Sequence, residues 1–277
     1  METKTQKGGT GKRVGKKTRG VSAGVVILVC AVLAGLFFYY VCADPQNFVN
    51  NDPKNHPLPG NFFGLIYKAG YVVIAIQTIL LTALVLTVER FFALQKAKGK
   101  GNLINFVYDV KANLKKNDIP AAAALCVKQK GSVAAIVDAG LKKYKEMSET
   151  SALTKEAKIS EIKAEIEEAT ALELPAMQQN LPVIATISTL GTLLGLLGTV
   201  LGMIRAFSAM ATAGAPDSVA LSAGISEALI NTAFGIGTGA VAIISYSFFT
   251  GKIDNMTYAI DEMGFALTQT YAETHDK

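Results

Sequence analysis

The sequence predicts an all-α integral membrane protein with four transmembrane helices, the last two forming long hairpin helices that extend into a helical cytoplasmic domain. Three observations carry this expectation. Half of the 277 residues are hydrophobic and the mean hydropathy is +0.33, a balance foreign to an ordinary soluble domain. Four apolar stretches, at residues 21–43, 65–88, 181–213 and 219–250, each reach the roughly 20 residues that a bilayer crossing needs. The basic residues are also one-sided: 24 Lys and Arg fall in residues 1–20, 90–174 and 252–277, against Lys54 and Lys68 in the second span and the loop before it. The positive-inside rule then places both termini in the cytoplasm.

Residues 1–20 hold seven Lys and Arg and a single acid, which reads as a basic cytoplasmic arm. A nucleic-acid tail has a similar composition, but an apolar run follows directly, so anionic lipid or topology control is the better reading. Residues 21–43 form the first span. Val41, Cys42 and Ala43 would pass as a cleavage site, yet the run exceeds the 7–15 or so apolar residues of a signal peptide, and it is read as retained. Residues 44–64, with four prolines, are a periplasmic loop. Residues 65–88 form the second span, with Gln77, Thr78, Thr82 and Thr87 as mild polar positions and Glu89-Arg90 at its inner end. There is no Trp, so Tyr39, Tyr40, Tyr67 and Tyr246 are left to anchor the interfaces. Cys30, Cys42 and Cys126 have neither metal nor disulfide spacing and read as small packing residues.

Residues 89–180 form the helical cytoplasmic domain. A flexible break is expected at residues 96–102, then helices over 102–116, 119–130, 132–146 and 153–172. In the last of these Ile159, Ile162, Ile166 and Ala169 make an apolar seam opposite Lys and Glu, and the helix is expected to run past Pro175 into the third span. Residues 251–277 form an amphipathic cytoplasmic tail helix, with Ile253, Met256, Ile260, Met263 and Leu267 at helical spacing.

The hairpin consists of the third span (181–213), a periplasmic turn (214–218) and the fourth span (219–250). Within the last lies Glu227, an ionisable group that is costly at membrane depth unless it is paired or works. With the turn centred near Pro216, Arg205 stands level with Glu227, and Thr199 lies near Thr232. Glu227 is then roughly 13–15 Å along its helix from the turn. Gly191, Gly195, Gly198 and Gly202 share one face of the third span, and Ala228, Thr232, Gly235, Gly239 and Ala242 share one face of the fourth. Small-residue stripes let helices approach closely in lipid. The two stripes either face each other or leave faces for neighbouring subunits, and an oligomer is favoured.

Two motifs in this order, LLGLLGTVLGM at residues 193–203 and ISEALINTAFGIGTGA at residues 225–240, resemble the ExbB/TolQ family, relatives of the MotA stator subunit, and ExbB most of all. VERFFAL at residues 88–94 and the charged helix before residue 181 extend the likeness more loosely. The resemblance implies a proton-channel subunit of a motor in the bacterial inner membrane. It implies a homopentamer surrounding an ExbD/TolR-like single-span partner in a central pore. With a TonB-like protein, such a motor uses the proton motive force to energise outer-membrane import, iron uptake included. Glu227, Thr199 and Thr232 match the family's pore-lining positions. Elementary chemistry agrees: an acid in low dielectric disfavours its charged form and can exchange a proton, and threonine hydroxyls both donate and accept.

Three positions depart from the family pattern. Thr192 and Val241 stand where many members carry proline, which leaves straighter helices. Arg205 stands where many carry a neutral residue. It either pairs with Glu227 or snorkels to the outer interface, leaving Glu227 to face a pore alone. A fixed ion pair would hinder proton exchange, which favours the second arrangement.

The alternatives are a TolQ-like subunit, a MotA-like or gliding motor, and a structural scaffold in which Glu227 and Arg205 form a buried lock. No enzyme, cofactor, metal or nucleic-acid reading survives. His56 and His275 lack ligand partners at metal spacing, and no phosphate loop or nucleophile motif is present in the sequence.

Overall fold

The structure is a computed structural model that describes residues 21–212 and 218–275. The expected basic arm and residues 214–217 of the expected hairpin turn lie outside the described residues. Those that are described are helical almost throughout. Four helical runs are long and apolar enough to cross a membrane: Ala23–Cys42, Val72–Lys115, Lys155–Ser208 and Leu221–Thr274. The chain is a multi-pass membrane protein. Its contacts divide it into two compact units, one of residues 20–92 and 178–251, the other of residues 93–177 and 252 onward.

In the first unit α1 (Ala23–Phe37) widens into a π turn over Phe38–Cys42. The loop that follows is pinned by Asn47, whose amide donates to Val41 O at 2.8 Å and to Cys42 O at 3.2 Å. Asn61 then caps α2 (Phe62–Lys68), accepting from Gly64 N at 2.9 Å. The second apolar segment is not one helix, contrary to the sequence expectation. Gly70 takes a left-handed φ of 77° and separates α2 from α3 (Val72–Lys98), a conformation that glycine adopts without penalty. Around this break Phe38, Cys42, Ile66, Ala69 and Val73 form a buried cluster, with Ile230 and Phe234 packed against it.

The second unit holds α4 (Leu103–Lys115), α5 (Ile119–Gln129), α6 (Gly131–Glu149) and α7 (Lys155–Gln178). Asn102 and Asp118 cap α4 and α5 with their side chains. The break at residues 96–102 is a locked turn rather than a flexible one: Lys100 N donates to Gln129 O at 2.6 Å, and Gln129 Nε2 to Lys98 O at 3.0 Å. The tail stripe Ile253, Met256, Ile260, Met263 and Leu267 is buried throughout, as are Ile162 and Ile166 of the α7 seam. Each such side chain contributes about 1.5–3 kcal/mol on full burial. Tyr271 adds a hydrogen bond from its hydroxyl to Met147 O at 2.9 Å.

α7 does pass Pro175, but it stops at Gln178 instead of running into the next helix. Pro182 explains the stop. Its missing N–H and its ring exclude a helical bond to residue 178, while the same residue is well suited to the first turn of α8 (Leu181–Thr212). Asn180 makes the corner with φ 66°, and its Nδ2 donates to Val21 O at 3.0 Å. α9 (Ser218–Thr274) then runs unbroken for 57 residues, so the fourth span and the tail are one helix.

Candidate functional site

The two glycine stripes close on each other. A Cβ on Gly191 would stand 2.9 Å from Gly235 O, one on Gly195 3.1 Å from Gly235 Cα, one on Gly202 2.9 Å from Gly224 O, and one on Gly239 2.8 Å from Ser188 O. Gly198 faces the side chain of Asn231. The stripes are therefore used within the hairpin, and they no longer argue for subunit contacts. Such an approach is what small residues permit between helices in lipid.

Close packing sets the register of the polar groups. Thr199 and Thr232 share a hydrogen bond between their hydroxyls. Both also reach backbone carbonyls, Thr199 that of Gly195 at 3.2 Å and Thr232 that of Ala228 at 3.1 Å. Toward the turn, Glu227 is only 8% exposed, and Arg205 Nη1 donates to its Oε1. The pair is lopsided: 51% of the Arg205 side chain is accessible against 10% of the Glu227 side chain. The structure thus brings together the pairs that hairpin symmetry placed level, and it forms the ion pair that the sequence reading disfavoured. The reason is reach. A guanidinium on a long stem at the same level as a carboxylate in apolar surroundings gains more from that charge than from an interface further away.

One polar residue was missed. Asn231, fully buried at 0%, lies one turn beyond Glu227 on the same face of α9. Its Nδ2 donates to Ala69 O at 2.8 Å and to Glu227 O at 3.1 Å, while its Oδ1 is buried without a hydrogen-bond partner. An amide four residues after an intramembrane acid was a visible signal, but its partner lies 162 residues away and could not be read from spacing.

Four helical runs long and apolar enough to cross a membrane, a buried acid in the last of them and paired hydroxyls near it mark a multi-pass membrane protein that encloses an ionisable group between its helices. Residues 128–262 match the MotA/TolQ/ExbB proton channel family. The chain is 29% identical over 120 residues to the ExbB-like 3 protein of Synechocystis sp., covering 43% of this chain and 57% of that one. It is 28% identical over 117 residues to the Tol-Pal system protein TolQ of Pseudomonas aeruginosa, 42% of this chain and 51% of that one. The TolQ protein of Haemophilus influenzae is 25% identical over 208 residues, 70% and 86% of the two chains. The match spans little more than half the length of the first two relatives.

Proposed function

We propose that this chain is the proton-conducting subunit of an inner-membrane motor, and that Glu227 carries the proton. The observation that carries the reading is an acid 8% exposed in an apolar helix, whose basic partner is half open to the surroundings. A proton arriving from the outer side neutralises Glu227 and releases Arg205, whose exposed stem can swing to the interface. Loss of the proton to the inner side restores the charge and draws Arg205 back. Protonated and ionised Glu227 therefore prefer different arrangements, the condition under which proton flow can drive movement. Each proton brings about 2.3 kcal/mol per 100 mV. The Thr199–Thr232 pair, about one turn further in, offers hydroxyls able to pass a proton on.

On this reading the working assembly is ExbB-like: five copies around the transmembrane helices of an ExbD/TolR-like partner, acting through a TonB-like protein on outer-membrane import, with both termini in the cytoplasm. A Tol-type role is the second reading, favoured by the TolQ relative that aligns over 70% of the chain. Expression in strains lacking either their ExbB or their TolQ separates the two. Restored growth on scarce iron supports the first, and restored detergent resistance the second. Restoration of neither in cells where the protein reaches the membrane with its own partner would refute both.

A further inference from the structure

Asn231 reaches out of the hairpin to a different span. Its acceptor, Ala69, and the following Gly70 are the residues at which α2 gives way to α3. The turn they form lies directly on the ion pair: a methyl group on Gly70 would stand 2.7 Å from Glu227 Oε1 and 2.8 Å from Arg205 Nη1. Only a glycine lets the backbone come so near, and its φ of 77° is one that other residues rarely adopt. A helix break within hydrocarbon frees carbonyls that need donors. Ala69 N serves Leu65 O and Ile66 O, and Gly70 N serves Tyr67 O. The Ala69 carbonyl is served by Asn231, from the helix that carries the acid.

We infer that the Ala69–Gly70 turn is a cover over the Glu227 site and that Asn231 is the positioning residue that latches it shut. The second span then shields the acid on this side, so that exchange proceeds by way of the hairpin and its half-exposed Arg205 while the latch holds. The latch itself is a matter of geometry. Its consequence for proton movement rests on the role proposed above for Glu227.

The test is the rate at which a hydrophobic carbodiimide modifies Glu227 in native membranes, read by mass spectrometry at that residue, with thermal melting measured alongside. Asn231→Leu keeps the volume and removes the donor, and should raise the rate about fivefold, the fold-change that corresponds to losing one hydrogen bond of about 1 kcal/mol. Gly70→Ala should do the same from the opposite side by pushing the turn off the pair. Asn231→Gln keeps the amide and should recover part of the protection, which a purely structural loss would not. Wild-type labelling in both Asn231→Leu and Gly70→Ala, with melting intact, overturns the latch and leaves the role of Glu227 standing. Conversely, raised labelling with full activity of Glu227→Gln would keep the latch and remove the proton role.

Discussion

Substituting Gly235 by alanine tests the hairpin packing that holds the site together. The added methyl would lie 2.6 Å from Gly195 Cα, whereas carbons in contact stand about 3.5–4.0 Å apart. The two helices must therefore part by about 1 Å, and overpacking of this kind costs about 1–3 kcal/mol. Alanine recovers up to about 1 kcal/mol through its better helix propensity. The net destabilisation is about 0–2 kcal/mol, which at 2–4 °C per kcal/mol for a chain of this size lowers the melting temperature by up to about 8 °C. Gly237 is the control. It lies on the same helix with nothing within 4 Å of a Cβ, so Gly237→Ala gains the propensity without the clash and should melt at or slightly above wild type. The assay is thermal unfolding in mild detergent, followed by helical circular dichroism. If Gly235→Ala melts no lower than Gly237→Ala, the close contact between α8 and α9 is not what stabilises the hairpin.

Two further predictions concern other parts of the fold. Burial, and secondarily the negative charge of Asp138, push the Cys126 thiol from its ordinary 9.0 up to about 12. The folded state thus prefers the neutral thiol, its contribution to stability being complete below pH 9 and lost as pH rises toward 12. Unfolding midpoints should accordingly fall in that alkaline window for the wild type, and less for Cys126→Ala. Asn180→Ala loses the bond to Val21 O and places alanine in a left-handed conformation, costing about 1–3 kcal/mol by chemical denaturation. Asn180→Gly should cost less, since it removes the bond without the backbone penalty.

Much of this was legible in the sequence because periodicity and depth are one-dimensional quantities. The stripe from Ile253 to Leu267 needed only helical spacing to be recognised, and it is buried as a row. Equal distances from the turn sufficed to set Arg205 opposite Glu227 and Thr199 opposite Thr232. What escaped depends on where remote segments meet. The break at Gly70 has no local signature, because the carboxylate and guanidinium that would meet a Cβ there belong to helices far away in the sequence. The helix expected to run past Pro175 into the third span stops at Gln178 instead, because Pro182 is the proline whose geometry forbids continuation. Asn231 carries no signal of its bond to Ala69, which joins segments 162 residues apart. Arg205 pairs with Glu227, contrary to the expectation from proton exchange, because the side chain follows the nearest charge.

The central claim is that a titrating carboxyl at residue 227 drives the motor, and it is tested most directly by three variants expressed at equal membrane levels: Glu227→Gln, Glu227→Asp and the double variant Glu227→Gln with Arg205→Leu. Energy-dependent restoration of the deficient strain is the readout. The account predicts that Glu227→Gln and the double variant abolish it while Glu227→Asp retains a part. A double variant as active as wild type would contradict it, and would make the Arg205–Glu227 pair a buried structural lock.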